Sequence, residues 1–181
     1  GNRKVLTDLL LSSEHIAEFR KISTPSSFYT VNNNRIEQKE WIEDLLDRVK
    51  FNEDSNISIC LLDKGISNGH PLIQPVLADK DMHTTFNDGI VQDTSRNGHG
   101  TGMAGIATYF NLEELLESND SLEINHKLES VRIVDDKLAN DPKLYGAITS
   151  EAISLAEITN PHDRRIVTMA VTAGFDMDAY E

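Results

Sequence analysis

Three short apolar runs that alternate with helical patterns constrain the fold of this chain most strongly. The runs are "ISICLLD" at residues 57–63, "LESVRIVDD" at 128–136 and "RRIVTMAVTAG" at 164–174. Each is short and rich in aliphatic and β-branched residues, as buried parallel strands are. Strands that alternate with helices form a parallel sheet covered on both faces. The sequence therefore predicts an α/β fold in three layers around a mainly parallel sheet.

Two helical patterns lie between these runs. The stretch "HGTGMAGIATYF" at residues 99–110 has helical character after its first glycines. Further along, Asp141 and Pro142 can cap and start a second helix, because proline is favoured in the first turn and aspartate accepts from a free backbone N–H. The apolar positions of that helix are Leu144, Ile148, Ala152, Leu155 and Ala156.

The first 55 residues follow a different pattern. Two helical segments are separated by the polar "STPSSFYTVNNNR", which is typical of a loop. The second helix has apolar residues at helical spacing, which predicts one buried face. These residues are Trp41, Ile42, Leu45, Leu46 and Val49. We therefore predict a helical lead-in segment over residues 1–55 and an α/β domain over residues 56–181.

The balance of charge excludes two classes of partner. The chain has 17 Lys and Arg against 30 Asp and Glu, a formal net charge of −13. Such a surface repels phosphate backbones and anionic lipid headgroups, so we expect neither nucleic acid nor membrane as a partner. The single cysteine, Cys60, lies in the first apolar run. We expect it to be buried as a small hydrophobic residue, which indicates a reducing, cytoplasmic compartment.

One histidine stands at an unusual place, in "DTSRNGHGTGMAGIA" at residues 93–107. His99 begins the predicted helix, and the glycines that follow weaken a helix, so they are expected to serve close packing. We expect five small residues to let this helix lie close to the sheet and hold His99 rigidly over the strand ends. They are Gly100, Gly102, Ala104, Gly105 and Ala107.

An aspartate follows the first predicted strand directly. Asp63 would lie at the carboxyl edge of the sheet, where ligands gather in α/β folds. A strand-end aspartate often only caps a turn, and a histidine at a helix start is often a solvent-facing residue. A helix N-terminus disfavours a cationic imidazole, so we expect a neutral, proton-accepting His99. A carboxylate held beside such a histidine suits general-base catalysis.

Two segments resemble those of the subtilisin-like serine proteases. "ISICLLDKGISNGHPLI" is similar to the aspartate segment of that family, in which an apolar strand precedes Asp-x-Gly-Ile/Val and then His-Pro-x-Leu/Ile. "NGHGTGMAGIA" is similar to the histidine segment, in which small residues follow His-Gly-Thr. The resemblance covers residues 56–174. It implies a subtilisin-like α/β fold and a serine endopeptidase that hydrolyses peptide bonds.

The resemblance also implies roles for particular residues. Asp63 would orient the imidazole, and His99 would act as general base and then as general acid. Ala170, Val171 and Thr172 would align with the strand that binds the peptide substrate by β-addition and forms one wall of the specificity pocket. The family usually carries Ser-Leu-Gly-Gly where this chain reads "AVTAG". No cofactor and no metal are implied.

Two departures from the family pattern lie beside the expected catalytic groups. Lys64 replaces the usual threonine or serine next to the aspartate and brings a charge close to the site. Gly102 replaces the second histidine that commonly follows His-Gly-Thr. Neither departure removes a catalytic group. Both favour the alternative of a degenerate protease domain that binds peptides or regulates a partner without catalysis.

The nucleophile of the family is missing from the 181 residues. The family places it in Gly-Thr-Ser-x-Ala after the substrate strand, and the nearest imitation here is "ITSEA" with Ser150. Ser150 lies inside a helical pattern without the glycine, so we interpret it as a helix-surface serine. We therefore expect the N-terminal part of a protease domain, incomplete at the C-terminus. The chain alone is expected to be inactive.

Two segments are similar to those of one particular subset of the family. "NGHPLIQPVLAD" and "EWIEDLLDR" are similar to a bacterial intracellular-type subset of the family encoded beside ATPases, which implies an ATPase encoded nearby as a partner.

Residues 100–105 match the dinucleotide pattern G-x-G-x-x-G, but polar residues precede them where that pattern needs an apolar strand. A metal site remains open, although no H-E-x-x-H spacing exists. Its candidate ligands are Asp63, His70, His83 or Asp88 with His99.

Overall fold

The computed structural model describes residues 3–12, 35–138 and 140–170. The α-helices are α1 (Arg3–Ser12), α2 (Arg35–Arg48), α3 (His99–Tyr109), α4 (Leu112–Glu117) and α5 (Tyr145–Thr159). The strands are β1 (Val49–Phe51), β2 (Ile57–Asp63), β3 (Met82–Thr84), β4 (Leu122–Ile124), β5 (Lys127–Arg132) and β6 (Arg164–Met169). Short 3₁₀ turns cover Asp79–Asp81 and Pro142–Leu144.

The chain divides into two compact units, residues 1–33 and residues 34–181. Helix α1 belongs to the first unit, and all other described helices and strands belong to the second. Helix α2 packs its apolar face into the core of the second unit, where Leu45 is fully buried. Val49, predicted on the same helix, is instead the first residue of β1, because the helix ends at Arg48. The predicted division into a lead-in segment and a domain at residue 55 stays a prediction.

A parallel four-stranded sheet forms the centre of the second unit. Its strand order is β3–β5–β2–β6, and every pair of neighbours is parallel. In the central strand, Cys60 lies between Glu129 of β5 and Val167 of β6. A separate pair of strands, β1 and β4, is also parallel. The prediction of an α/β fold around a parallel sheet is confirmed.

Helices cover both faces of this sheet. Alternate side chains of β2 point to opposite faces, because successive residues of a strand do so. Leu61 joins the core that contains Leu45 of α2 and Ala104 of α3. Cys60 and Leu62 join the core that contains two alanines of α5. The three-layer arrangement predicted from the sequence is therefore present.

Two predicted elements have different bounds in the structure. The strand predicted over residues 128–136 is β5, and it ends at Arg132. The next two residues turn around the end of β2. There, the backbone N–H groups of Ile133 and Val134 both donate to the carbonyl of Asp63, at 2.9 and 3.3 Å. The helix predicted from Asp141 begins with a 3₁₀ turn, whose Lys143 N–H donates to the Asp141 carboxylate at 3.0 Å.

No helix in the described part of the chain is long and apolar enough to cross a lipid bilayer.

The buried thiol of Cys60 gives a first prediction. Its side chain has no solvent exposure, and burial raises the pKa of the thiol to about 12, with the Glu129 carboxylate adding to the rise. Because the thiolate is the reactive form, we expect the folded chain to resist an aromatic disulfide reagent at mildly alkaline pH. The same reagent should react with one thiol per chain in guanidinium chloride. Rapid reaction of the folded chain would contradict the buried position of Cys60.

Candidate active site

Asp63 and His99 meet at the carboxyl edge of the sheet. Asp63 is the last residue of β2, and His99 is the first residue of α3. The Nδ1 atom of the imidazole lies 2.8 Å from Oδ2 of the carboxylate, within the range expected for a hydrogen bond. Since an ionised carboxylate only accepts, Nδ1 donates and carries the ring proton. The remaining nitrogen, Nε2, is then an acceptor.

The carboxylate of Asp63 is held from more than one side. Its side chain is only 2% exposed, and its second oxygen, Oδ1, accepts from the backbone N–H of Lys64 at 2.8 Å. Its backbone carbonyl accepts the two N–H groups that follow β5. The imidazole of His99 is 40% exposed. The pair therefore combines a fixed, buried carboxylate with a ring that is open to solvent.

Two glycines allow the loop after β2 and the start of α3 to touch. Gly65 has a φ of +87°, which side-chain-bearing residues rarely adopt, and a Cβ there would lie 2.3 Å from the carbonyl oxygen of Gln92. A Cβ on Gly100 would lie 1.9 Å from the carbonyl oxygen of Gly65. The backbones of the Asp-x-Gly and His-Gly-Thr segments thus pass each other in contact. This contact brings the two side chains to one place.

The expectation that all five small residues serve close packing is wrong for two of them. Gly102 and Gly105 have open space where a Cβ would stand, and no atom lies within 4 Å. Both line a second, mostly apolar cavity of about 320 Å³ on the other side of α3. Gly100 and Ala104 are the residues buried against the sheet and its loop, and Ala107 packs partly against the core. Helical periodicity explains the difference, since residues 102 and 105 share one face.

A cavity of about 660 Å³ opens beside the pair. Asp63, Lys64 and His99 form one side of it. The rest of the lining mixes polar residues, Asp135, Asn140 and Thr149, with the apolar Ile133, Val134, Leu138, Tyr145, Ile148 and Met169. Ala170, one of the three residues predicted to bind substrate, also lines this cavity. Val171 and Thr172, the other two, lie outside the described residues.

The unusual lysine next to Asp63 is paired. The Nζ atom of Lys64 forms an ion pair with the carboxylate of Asp136 in the loop after β5. The hydrogen bond to Asp136 raises the pKa of Lys64 above its usual range. Lys64 therefore stays cationic, and Asp136 offsets the charge that the sequence analysis placed close to the site.

A second ion-pair group supports the loop that lines the cavity. Arg132 is 1% exposed, and its guanidinium donates to the carboxylates of Asp88, at 2.8 and 3.0 Å, and Asp135, at 2.6 Å. The same guanidinium lies 4.5 Å from the centre of the Phe86 ring. The hydrogen bond from Arg132 lowers the pKa of Asp135 to about 2. Asp88, considered above as a metal ligand, is thus engaged with an arginine.

The remaining candidate ligands are separated from the pair. The Nδ1 atom of His70 accepts from the backbone N–H of Leu72 at 3.2 Å. The Nε2 atom of His83 lies 3.3 Å from the hydroxyl of Thr159. Burial lowers the pKa of both histidines. Among the residues that the structure describes, no group of three or more His, Cys, Asp or Glu side chains is arranged to hold a metal ion.

Two rival interpretations also lack support in the structure. Ser150 is exposed on α5 and its carbonyl accepts from the hydroxyl of Ser154 at 2.9 Å, as expected of a helix-surface serine. Residues 100–105 lie within α3, and the described segment before them, residues 85–98, contains no strand. The dinucleotide pattern therefore lacks the strand it requires.

Asp93 is a site residue that was not predicted from the sequence. Its carboxylate receives hydrogen bonds from Ser95 and from Thr101 in the first turn of α3. Asp-x-Ser is a turn signal, so the hydrogen bond to Ser95 could have been predicted from the sequence. The bond to Thr101 joins residues eight positions apart, across an irregular loop that no periodicity marks.

The fold and the pair define a class of protein: an α/β protein with an aspartate–histidine pair at the carboxyl ends of parallel strands, as serine hydrolases use. A family model, described as the subtilase family, matches residues 54–180. The match covers well over half of the chain, and the chain belongs to the subtilase family. This membership confirms the subtilisin-like α/β fold and assigns the protein to the serine peptidases in general. Comparison with curated proteins and with solved structures gave no match.

Proposed function

We propose that this chain is the part of a subtilisin-like serine endopeptidase that carries the aspartate and the histidine of an Asp-His-Ser triad. The observation that carries the proposal is the 2.8 Å hydrogen bond between His99 Nδ1 and Asp63 Oδ2 at the rim of a cavity. With the proton on Nδ1, the exposed Nε2 is free to take a proton from a serine hydroxyl. The proposal requires a serine nucleophile, which the family carries in a Gly-Thr-Ser segment, outside these 181 residues.

In the proposed reaction His99 acts first as base and then as acid. Nε2 removes the proton of the serine hydroxyl while the serine oxygen attacks the peptide carbonyl carbon. The resulting imidazolium is stabilised by the buried carboxylate of Asp63. When the peptide C–N bond breaks, the same Nε2 proton passes to the leaving amine, and water then hydrolyses the acyl-enzyme with His99 again as base.

The proposed substrate is a peptide bound in extended form. Ala170 lines the cavity, and with Val171 and Thr172 it would pair with the substrate backbone by β-addition. The apolar side chains in the cavity lining favour a substrate with an apolar side chain there. The net charge of −13 supports the proposal that neither nucleic acid nor membrane is a partner. A cytoplasmic location is proposed from the single cysteine, Cys60, and a bacterial protein with an ATPase encoded nearby is proposed on the sequence resemblance alone.

A degenerate subtilase module that binds peptides without catalysis is the second candidate. The departures at positions 64 and 102 favour it. The pairing of Lys64 with Asp136 weakens that support, since the lysine leaves the bond between Asp63 and His99 intact.

The experiment first reads the gene beyond codon 181 for a Gly-Thr-Ser segment, whose absence would favour the second candidate. It then compares two polypeptides, the 181-residue chain and the longer product that includes this segment. We expect no hydrolysis of casein by the first, and covalent labelling of the second by a fluorophosphonate probe. His99→Ala in the longer product should abolish labelling, whereas His162→Ala, an exposed histidine in a turn, should not. Absence of labelling in the folded longer product would favour the peptide-binding module. If the 181-residue chain cleaves casein and Ser150→Ala abolishes this cleavage, Ser150 would be the nucleophile, contrary to its interpretation as a helix-surface serine.

A further inference from the structure

We propose that Asp93 is a positioning residue, which caps helix α3 from outside the helix and thereby fixes the imidazole of His99 against Asp63. The inference rests on the proposed role of His99 as the catalytic base. In this role the carboxylate of Asp93 acts on the backbone of α3 rather than on the substrate.

Helix α3 lacks an ordinary N-cap. The residue at that position is Gly98, in the left-handed conformation with φ 69° and ψ 36°, and it has no side chain to accept a hydrogen bond. The first turn of a helix leaves backbone N–H groups without partners inside the helix, and a capping side chain usually accepts one of them. Because His99 is the first helical residue, an uncapped first turn would leave its backbone free to move.

Asp93 and Ser95 replace the missing cap. Oδ2 of Asp93 accepts from both the backbone N–H and the hydroxyl of Thr101, each at 2.8 Å. Oδ1 of Asp93 accepts from the backbone N–H of Ser95 at 2.9 Å and from its hydroxyl. The Ser95 hydroxyl oxygen in turn accepts from the backbone N–H of His99 at 2.7 Å. Two N–H groups of the first turn are therefore bound by a cluster that precedes the helix.

The charge of Asp93 suits this position. Burial alone would raise the pKa of Asp93, but the hydrogen bonds from Ser95 and Thr101 outweigh burial and hold it below the usual range. The carboxylate is therefore ionised at neutral pH. An anion next to a helix N-terminus is favoured by the helix dipole.

The same cluster is tied to the loop that follows Asp63. The hydroxyl oxygen of Thr101 accepts from the backbone N–H of Ser67 at 3.0 Å. The backbone N–H of Thr94 donates to the carbonyl of Lys64 at 3.0 Å. The segment that holds the backbone of His99 is thus joined to the segment that holds Asp63. These bonds fix the distance between the two ends of the catalytic hydrogen bond.

Asparagine at position 93 cannot reproduce this arrangement. The carboxylate accepts from N–H or O–H groups at both oxygens, whereas an amide offers one oxygen and one NH₂ group. The NH₂ group would then face the backbone N–H of either Ser95 or Thr101, and a donor facing a donor forces the two apart. A shift of His99 by about 1 Å would lengthen a bond of 2.8 Å beyond hydrogen-bond range.

The test measures the hydrogen bond to Asp63 itself, in the 181-residue chain. The proton on Nδ1 of a histidine bound to a carboxylate gives a strongly deshielded signal in proton NMR, which we expect in the wild-type chain. Asp93→Asn should lose this signal while the chain stays folded by circular dichroism. Asp163→Asn is the matched control, because its carboxylate, 11% exposed, accepts from the Ser58 hydroxyl at 2.6 Å near the opposite end of the sheet. The control should keep the signal.

A second pair of variants keeps the test decisive if Asp93→Asn does not fold. Ser95→Ala removes the hydroxyl that donates to Asp93 and accepts from the backbone N–H of His99, and Ser95→Thr keeps a hydroxyl there. The alanine variant should therefore weaken the signal, and the threonine variant should retain it. An unchanged signal in Asp93→Asn would overturn the proposal, as would equal loss in Asp163→Asn. Where Asp93→Asn is unfolded, an unchanged signal in Ser95→Ala would overturn it. A wild-type chain without the signal would instead count against the pairing of Asp63 and His99, and thus against the proposed function.

Discussion

Replacing Gly100 with alanine is expected to destabilise the chain by about 3 kcal/mol or more. The new methyl group would lie 1.9 Å from the carbonyl oxygen of Gly65, and both sides of this contact are backbone. A flexible side chain could move away from such a contact, but here the helix and the loop must separate. Overpacking a well-packed region typically costs about 1–3 kcal/mol, and more where nothing can yield. The separation would also carry His99 away from Asp63.

Gly102→Ala is the matched control for this prediction. It lies two residues further along the same helix, and its Cβ would meet no atom within 4 Å. Alanine is favoured over glycine inside a helix by about 0.5–1 kcal/mol, so this variant should be as stable as the wild-type chain or slightly more stable. Urea unfolding followed by circular dichroism measures both variants. Equal stabilities of the two variants would show that α3 and the loop after β2 are not in contact.

Strands β2, β5 and β6 and the helices beside them were predictable because their signals are local, whereas the three-residue strands β1, β3 and β4 and the short helix α4 were not predicted. Apolar runs of strand length and helical spacing of apolar residues are set by neighbours in the sequence, and β2 and α3 occupy the places that these patterns indicate. The pairing of Asp63 with His99 also followed, since the carboxyl ends of parallel strands and the start of a following helix lie at one edge of the sheet. The resemblance to a family supplied the order of the two segments.

Contacts between distant irregular segments were not predictable. Lys64 and Asp136 are separated by 72 residues, and both lie in loops that carry no periodicity. The early end of β5 depends on two N–H groups that bind the carbonyl of Asp63, and a strand pattern shows nothing of such a turn. For the same reason Asp93 was overlooked, although it organises the start of α3.

The glycines of α3 show where a residue type alone misleads. From the sequence, the same role was predicted for Gly100 and Gly102, that of small residues that permit close packing. The structure places one against backbone and the other beside a cavity, because two residues in a helix are about 200° apart around its axis. Only the orientation of the helix, which depends on the tertiary fold, separates the two roles.

Asp63→Asn is expected to lower the turnover of the longer, serine-containing polypeptide by about 10⁴-fold, the effect of the equivalent change in a serine protease triad. Two donors face the wild-type carboxylate, the backbone N–H of Lys64 and the Nδ1–H of His99, each at 2.8 Å. An asparagine has one acceptor for these two positions. The backbone N–H cannot become an acceptor, so the amide oxygen must remain with Lys64, and the NH₂ group must face His99.

The imidazole can satisfy that NH₂ group only by exchanging its tautomer. Nδ1 then accepts, the ring proton moves to Nε2, and the nitrogen that should take the proton of the serine already carries one. Nitrogen-15 NMR of the imidazole in the 181-residue Asp63→Asn chain should show the proton on Nε2, against Nδ1 in the wild type and in Asp163→Asn. A proton that stays on Nδ1, or turnover within tenfold of the wild type in the longer polypeptide, would mean that Asp63 does not set the state of the base.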